Sequence, residues 1–249
     1  MSVATTPASR KSRTTRPAVG NTRAVPPVRT VGVTRAHARA KAAVARPVVP
    51  MPDLLLNATE GADIVTIPER RVLAIDGAGG PEQEAFQLAM GALYGVAYTL
   101  KFSRKKLSAA QDFKIGPVEG RWSADLEGAE YMRAPRERWR WQLRIAVPAD
   151  VTADDVAVAV HGATTRKNGK LFGSAEAAQV RLEVVPAQQV GRALHVGPYS
   201  EEDRTFTEIQ AVIAEAGLRP AFTHLEVYLN DPRRTAPDEL ATVLLRELA

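Results

Sequence analysis

The alternation of apolar and polar residues predicts a regular order of strands and helices in the first half of the chain. Residues 64–76 predict a strand with a kink at Pro68, and residues 72–75 form its short apolar run. Gly79 and Gly80 end this run, and Pro81 suits the first turn of a helix. Along that helix, apolar side chains recur on one face at Phe86, Met90, Leu93, Ala97 and Leu100. Two further strands are predicted at residues 113–124 and 138–147, and the second alternates almost perfectly.

The second half of the chain repeats this order. Residues 180–196 predict a strand broken at Pro186, and Ser200 is placed to cap a helix that ends at Gly217. Strands follow at residues 224–230 and 242–248. Pro68 precedes Gly79 by eleven residues, and Pro186 precedes Gly197 by the same interval. Each half therefore predicts one strand, a long helix and two further strands. Between the halves, Thr152 and Asp155 predict a capping box that starts a short helix.

The repeat predicts an α+β fold made of duplicated βαββ units. One unit has a single sheet face and a single helix, which together bury only a small core. Two units joined edge to edge would form one antiparallel sheet with both long helices on one face. The opposite face would remain concave and open at the pseudo-twofold axis. We expect a ligand cleft there, between the two repeats.

Charge divides the chain into two segments. Residues 1–50 contain ten Lys and Arg, no Asp or Glu, and no Leu, Ile, Phe, Trp or Tyr. Such a segment cannot bury enough apolar surface to offset its conformational entropy, so the prediction is a disordered basic arm. Residues 51–249 retain 23 basic and 28 acidic residues, a net charge of −5. The predicted domains are therefore a basic arm at residues 1–50 and one folded domain at residues 51–249.

Three interpretations of the basic arm remain open. Arginine neutralises phosphate, so the arm could be a tail that binds nucleic acid. The net-acidic folded domain itself is not expected to bind nucleic acid. Arg-rich, acid-poor composition is also typical of a transit peptide, although the arm lacks an amphipathic apolar face. The third and favoured interpretation is a leader without a dedicated role, or upstream sequence translated in error, with the native start at Met51.

Composition excludes several classes of chemistry. The chain has no Cys, which excludes disulfides, thiolate nucleophiles and cysteine metal sites. No apolar run is long enough to cross a membrane. We find no phosphate loop, nucleophile elbow or metal signature, and the four His residues are scattered singly. The sequence thus predicts a cytoplasmic protein that binds no metal or other cofactor, as a monomer or homodimer.

The strand at residues 224–230 carries the most informative polar residue. Leu225, Val227 and Leu229 share one face, which we expect to point toward the helices. Glu226 then points into the open face, within an otherwise apolar strand. A carboxylate there is costly unless it is solvated or paired. Glu226 is therefore interpreted either as an anchor for a cationic ligand or as a general acid or base. The alternative is a plain solvent-facing Glu.

Aromatic side chains form the second candidate group. Trp and Tyr rings attract cations above their faces, and three Trp residues lie within residues 122–141. The candidate ligand-binding residues are Trp122, Trp139, Trp141, Tyr94, Tyr98 and Tyr228. Core packing is the competing interpretation for Trp139 and Trp141, whereas Trp122 stands beside Gly120 at a strand end.

Five segments resemble the GyrI-like small-molecule-binding proteins. They are IPERRVLAIDG (67–77), YGVAYTLKF (94–102), VEGRW (118–122), HVGPYSEE (195–202) and EVYLNDPRRT (226–235). The resemblance is greatest to stand-alone members, not to regulators that fuse the domain to a helix-turn-helix. It implies a duplicated βαββ fold and a pocket for bulky, often cationic, aromatic compounds with a central Glu at its floor. By position that Glu is Glu226.

The resemblance also implies a reaction. Some stand-alone relatives hydrolyse cyclopropane-bearing compounds that alkylate DNA, using a Glu and a Tyr with aromatic walls. Carried over, Glu226 would activate water or hold charge, and Tyr199 or Tyr98 would donate a proton or hydrogen bond. Trp122 and Trp141 would stack on the substrate. Two alternatives to this detoxifying hydrolase are a non-catalytic module that sequesters multiple drugs and, by fold analogy alone, an inhibitor of a DNA enzyme.

Overall fold

A computed structural model describes residues 47–124, 133–165 and 175–249. The predicted basic arm lies outside these residues except at its last four positions. The Gly- and Lys-rich residues 162–177, whose composition predicts a loop, also lie mostly outside them. The domain boundary at residue 51 stays a prediction. Contacts of the described chain begin at Val48, whose carbonyl accepts a hydrogen bond from the Lys114 N–H at 2.9 Å.

The described residues form four α-helices and eight strands. The helices are α1 (Asp53–Leu56), α2 (Glu84–Leu107), α3 (Ala153–Thr164) and α4 (Glu202–Glu215). The strands are β1 (Asp63–Ile67), β2 (Arg70–Ala78), β3 (Val118–Ala124), β4 (Trp139–Val147), β5 (Arg181–Val185), β6 (Gln188–Val196), β7 (Pro220–Tyr228) and β8 (Ala241–Leu248).

All eight strands belong to one antiparallel sheet in the order β1-β6-β8-β7-β3-β4-β2-β5. Exchanging each strand of the first half with its counterpart in the second half reproduces this order in reverse. The sheet therefore has the predicted pseudo-twofold axis, which passes between the central strands β3 and β7. The predicted α+β class and the duplicated unit are confirmed.

The first strand of each repeat differs from the prediction. Pro68 and Pro186 do not kink one strand; each lies in the break between two strands. After Pro68 the chain leaves β1, which pairs with β6, and enters β2, which pairs with β4 and β5. Each repeat thus places a short edge strand beside the other repeat. Proline supplies no N–H to a ladder, which explains why it stands where the pairing changes.

Both long helices cover the same face of the sheet, as predicted. Helix α2 packs on β2 and β4, and helix α4 packs on β6 and β8. The central strands β3 and β7 lie between the areas that the two helices cover. Phe86, Leu93, Ala97 and Leu100 of the predicted α2 stripe are buried, and Met90 is partly buried against them. Helix α2 begins at Glu84 rather than Pro81, and β3 begins at Val118 rather than Phe113.

The prediction of which sheet face is open was wrong. Leu225 and Val227 do not face the helices; they pack on the other face, in a second core that also contains Met51 and Leu55. Glu226 therefore points to the helix side. Alternation alone separates the two faces of β7 but does not say which of them the helices cover. The segment at residues 48–56, whose pattern predicts no element, closes the face that was expected to be open.

Candidate ligand-binding site

A cleft of about 1150 Å³ opens on the helix side of the sheet, between α2 and α4. Its floor is formed by β3 and β7, so it lies at the pseudo-twofold axis as predicted, although on the opposite face. The lining includes side chains from both long helices, both central strands, the start of β4, and the segments before β4, before α4 and after β7. They are Phe86, Met90, Tyr94, Tyr98, Trp122, Arg136, Trp139, Tyr199, Glu202, Asp203, Phe206, His224, Glu226, Tyr228, Asp231 and Arg233.

Glu226 stands at the floor within a hydrogen-bonded group. The Tyr228 hydroxyl donates to Glu226 Oε2 at 2.6 Å, and His224 Nε2 lies 2.9 Å from Glu226 Oε1. The Trp122 indole N–H donates in turn to the Tyr228 hydroxyl oxygen at 3.0 Å. Successive even positions of β7 share one face, which is how His224, Glu226 and Tyr228 come together. The carboxylate is thus oriented from both sides, and its side chain remains 12% exposed to the cleft.

Gly120 makes room for this arrangement. It pairs with Glu226 across the β3–β7 ladder. A Cβ atom at residue 120 would lie 2.8 Å from the Trp122 indole nitrogen and 3.0 Å from the Tyr228 hydroxyl oxygen. Distances this short would push the Trp122–Tyr228 hydrogen bond apart. The absence of a side chain at this position therefore helps to shape the floor.

Aromatic rings form the wall on the α2 side. Phe86 stacks on Trp122 with ring centroids 5.7 Å apart, and Trp139 meets Trp122 edge-on at 5.6 Å. Tyr94 and Tyr98 stack one helical turn apart along α2, at 6.4 Å. Trp122 is nearly buried, whereas Tyr98 is 46% exposed at the mouth. The wall can therefore accept a flat ring against it while its own rings hold one another in place.

Glu202, in the first turn of α4, is the second carboxyl of the cleft. It is 8% exposed, and its Oε1 atom is enclosed without a hydrogen-bond partner among the described residues. Burial, and after it the negative charge of Glu226 and Asp203, raises its pKa to about 10. Glu202 is therefore a neutral carboxylic acid at physiological pH. Glu202 and Glu226 are thus two carboxyl groups of the cleft in different surroundings.

The mouth of the cleft carries paired charges. Asp231 accepts hydrogen bonds from Arg233 at 3.0 Å, and this pairing lowers the pKa of the Asp231 carboxyl to about 2. Arg136 forms an ion pair with Glu82 at 2.9 Å and lies 5.6 Å over the Trp139 ring. Within each pair, the opposite charges compensate each other at the rim of the cleft.

The structure places the three candidate tyrosines Tyr228, Tyr199 and Tyr98 differently with respect to Glu226. Tyr228, predicted as a ligand-binding residue, is the tyrosine that donates to Glu226. Tyr199 instead meets Tyr228 edge-on with ring centroids 6.0 Å apart and is 40% exposed. Burial, then the charge that Glu202 and Glu226 carry once they are ionised at high pH, raises the Tyr199 pKa to about 12. Tyr199 therefore keeps its proton and presents a ring to the cleft, while Tyr98 lies farther out on α2.

Trp141 lies outside the cleft, contrary to its predicted stacking on substrate. Its ring packs over Gly77, where an added Cβ atom would lie 2.0 Å from the indole. Phe86, which lines the cleft, meets the Trp141 ring edge-on with ring centroids 5.2 Å apart. Trp141 is 3% exposed and belongs to the core beneath α2. Of the two core candidates on β4, Trp141 is core and Trp139 lines the cleft.

Comparison with known protein families matches residues 145–245 to the GyrI-like small molecule binding domain. Over these residues the chain is similar to a GyrI-like domain. The match runs from β4 into β8 and so includes α4, Glu202 and the Glu226 strand. The family to which the five sequence segments pointed is thereby confirmed. No curated protein matches the chain significantly.

Solved structures with the same fold extend the comparison beyond the matched region. An uncharacterized conserved protein from Listeria innocua is 28% identical, covers 77% of this chain and 94% of its own, and superposes with a TM-score of 0.68. A hydrolase from Listeria innocua is 27% identical, covers 78% of this chain and 94% of its own, and superposes with a TM-score of 0.66. Both alignments therefore extend well beyond the matched residues 145–245.

Sequence reasoning missed two partners of Glu226 in the GyrI-like domain. The spacing of two residues places His224 on the Glu226 face of the strand, but His224 was given no role because a single His at a strand end is more often structural. Glu202 was overlooked because acidic residues are common in the first turn of a helix, where they favour the dipole. Only its burial distinguishes Glu202 from the acidic residues that commonly start a helix. Among the described residues, no group of three or more His, Asp or Glu is arranged to hold a metal ion, and no helix is long and apolar enough to cross a membrane.

Proposed function

We propose that the cleft binds flat, lipophilic aromatic cations, with the ligand ring on the aromatic wall and its positive charge at Glu226. The observation that carries this proposal is the position of Glu226 at the floor of an aromatic cleft. A carboxylate oriented by Tyr228 and His224 favours a cation in front of it. Trp and Tyr rings add cation–π attraction to the same ligand.

The charge distribution supports a ligand with one positive charge. Glu202 is neutral, Asp231 is paired with Arg233, and Asp203 is exposed to solvent. Glu226 is therefore the largely buried carboxylate of the cleft whose charge a cation would compensate. The volume of about 1150 Å³ exceeds the range of about 300–1,000 Å³ common for drug-sized ligands. A polycyclic compound of several fused rings fits this space, and a small metabolite would leave most of it to water.

The binding proposal is tested with N-methylacridinium, a flat fluorescent monocation. The wild-type chain should bind it, and Glu226→Gln should weaken binding at least about tenfold because the compensating charge is lost. Glu208→Gln is the matched control: it removes the same charge from the exposed face of α4. Equal affinity of wild type and Glu226→Gln, measured by fluorescence titration, would contradict the proposal.

We further propose that the same cleft hydrolyses strained cyclopropane compounds of the DNA-alkylating type, as a means of detoxification. The similarity to a hydrolase of known structure supports this second function. In the proposed step, Glu226 accepts a proton from water as the water oxygen bonds to a ring carbon. The ring C–C bond breaks, and its electron pair moves to the conjugated carbonyl oxygen, which takes up a proton. Net addition of one water gives an alcohol and a phenol.

Turnover separates the hydrolase from a binding module. The chain is incubated with a cyclopropane-containing alkylator, and the ring-opened product is followed by its gain of one water in mass. The hydrolase hypothesis expects product from the wild type and a loss of at least about a hundredfold in Glu226→Gln. Binding without product favours the non-catalytic multidrug module. Full turnover by Glu226→Gln excludes this Glu as the base. Inhibition of a DNA enzyme stays a prediction.

A further inference from the structure

Glu202 is a buried polar group that the proposed roles of Glu226 and the aromatic wall leave unused. Its side chain lines the cleft, and its enclosed Oε1 has no hydrogen-bond partner among the described residues. Leaving a buried polar atom unpaired costs about 1–3 kcal/mol, so such atoms are rare in folded proteins. A ligand atom in the cleft would supply the missing partner.

The surroundings of Glu202 fix what kind of partner it takes. Helix α4 holds it beside Thr205 and Phe206, which are buried on the same side. The titratable groups that interact with it are Glu226 and Tyr228 on β7, Tyr199 before the helix, and Asp203 next to it. Burial, and after it the negative charge of Glu226 and Asp203, raises the pKa of Glu202, so its carboxyl keeps its proton. A protonated carboxyl is a hydrogen-bond donor, unlike the carboxylate of Glu226.

We propose that Glu202 is the hydrogen-bond donor of the cleft and selects ligands that carry an acceptor oxygen, such as a conjugated carbonyl. This inference rests on the proposed function and narrows its ligand class: a flat aromatic body with an acceptor oxygen and an electron-poor centre. The two carboxyl groups then divide the recognition. Glu226 faces the positive centre, and Glu202 donates to the oxygen.

The same division would serve the hydrolytic step. When the strained ring opens, negative charge develops on the carbonyl oxygen at the far end of the conjugated system. A donor already directed at that oxygen stabilises the charge as it forms and requires no rearrangement at that moment. Glu202 would thus contact the reacting system at the end opposite to the attacking water.

Two probes of equal shape test the inference. N-methylacridone is neutral and carries a carbonyl, whereas N-methylacridinium is cationic and has no acceptor oxygen. Glu202→Met keeps the volume and removes the donor, so it should weaken N-methylacridone about fivefold or more and leave N-methylacridinium nearly unchanged. Glu202→Gln restores a donor through its amide and should retain N-methylacridone binding. Glu201→Met, at the exposed neighbour that does not line the cleft, is the control.

The outcomes distinguish the two proposals. If N-methylacridinium depends on Glu226 while N-methylacridone is indifferent to Glu202→Met, the donor role of Glu202 is wrong and the binding function stands. If Glu202→Met weakens both probes equally, Glu202 only maintains the shape of the cleft and the inference is again overturned. If wild type and Glu226→Gln bind N-methylacridinium equally, the proposed function itself fails. Selective loss of N-methylacridone, with rescue by Glu202→Gln, supports the inference.

Discussion

At the scale of single residues, one short hydrogen-bond chain controls the floor of the cleft. The Trp122 indole donates to Tyr228, and Tyr228 donates to Glu226. Tyr228 is therefore both acceptor and donor, and burial raises its pKa well above the usual value. A neutral hydroxyl at this position orients the carboxylate and satisfies the indole at the same time.

Substitution of Tyr228 tests this chain of hydrogen bonds. Tyr228→Phe leaves the Trp122 N–H without its acceptor and should lower the free energy of unfolding by about 1–3 kcal/mol. Tyr98→Phe removes a hydroxyl from a ring that is 46% exposed and should change it by less than about 0.5 kcal/mol. Urea unfolding of both variants gives the comparison. Equal effects would mean that the Tyr228 hydroxyl contributes nothing special to the fold.

The raised pKa of Glu202 predicts a pH dependence of stability. Folding raises this pKa from 4.5 to about 10, so between these values the folded chain binds a proton that the unfolded chain releases. Stability then falls as pH rises, by at most about 1.4 kcal/mol per pH unit from this group. Glu202→Gln cannot ionise and escapes this loss. Its melting temperature relative to wild type should therefore increase from about pH 6 to about pH 9.

The matched control for that measurement is Glu201→Gln, on the exposed side of the same turn. A difference between Glu202→Gln and wild type that stays constant across this range would show that Glu202 is already ionised. The donor role of Glu202 would then be lost as well, because an ionised carboxyl only accepts hydrogen bonds.

At the scale of elements, the helix starts show how local chemistry and tertiary context differ. Thr152 and Asp155 form the predicted capping box at α3, since both reciprocal hydrogen bonds are present. Ser200 was predicted to cap the second long helix, and Asp203 follows it at the same spacing as Asp155 follows Thr152. The chain instead makes a short 3-10 turn at Tyr199–Glu201, and α4 starts without a side-chain cap. The same spacing thus gives a cap at one helix and not at the other.

Two alanine substitutions test this contrast. Thr152→Ala removes the oxygen that accepts from the Asp155 N–H at 3.2 Å, and it should cost about 1 kcal/mol of unfolding free energy. Ser200→Ala removes no cap and should cost less than about 0.5 kcal/mol. Chemical denaturation of the two variants checks the difference. A larger loss for Ser200→Ala would mean that its hydroxyl caps α4 after all.

At the scale of the whole molecule, the repeat could be predicted and the side of the cleft could not. The equal spacing of Pro68 to Gly79 and Pro186 to Gly197 records the duplication directly. The alternation along β7 correctly placed Glu226 opposite to Leu225 and Val227. It gave no information about which face α2 and α4 cover, because alternation separates the two faces without showing what packs on either.

The composition of the cleft was predictable to a similar extent. Trp122, Trp139, Tyr94 and Glu226, all named as candidate site residues from the sequence, line it. The exclusion of Trp141 depends on the close approach of its ring to Gly77, a contact between neighbouring strands that periodicity does not encode. Recognising Glu202 as a site residue depends on its burial near Glu226, and that burial is known only once β7 and α4 are placed together in space.

The central claim is that ligands bind on the helix side of the sheet, between α2 and α4, with positive charge at Glu226. A crystal structure of the chain with N-methylacridinium tests it most directly. The claim predicts the ring against the aromatic wall, in contact with Phe86, Trp139 or Tyr94, and its charged nitrogen nearer to Glu226 than to any other carboxyl group. A ligand bound on the face that Met51 and Leu55 cover, or bound away from Glu226, would contradict it.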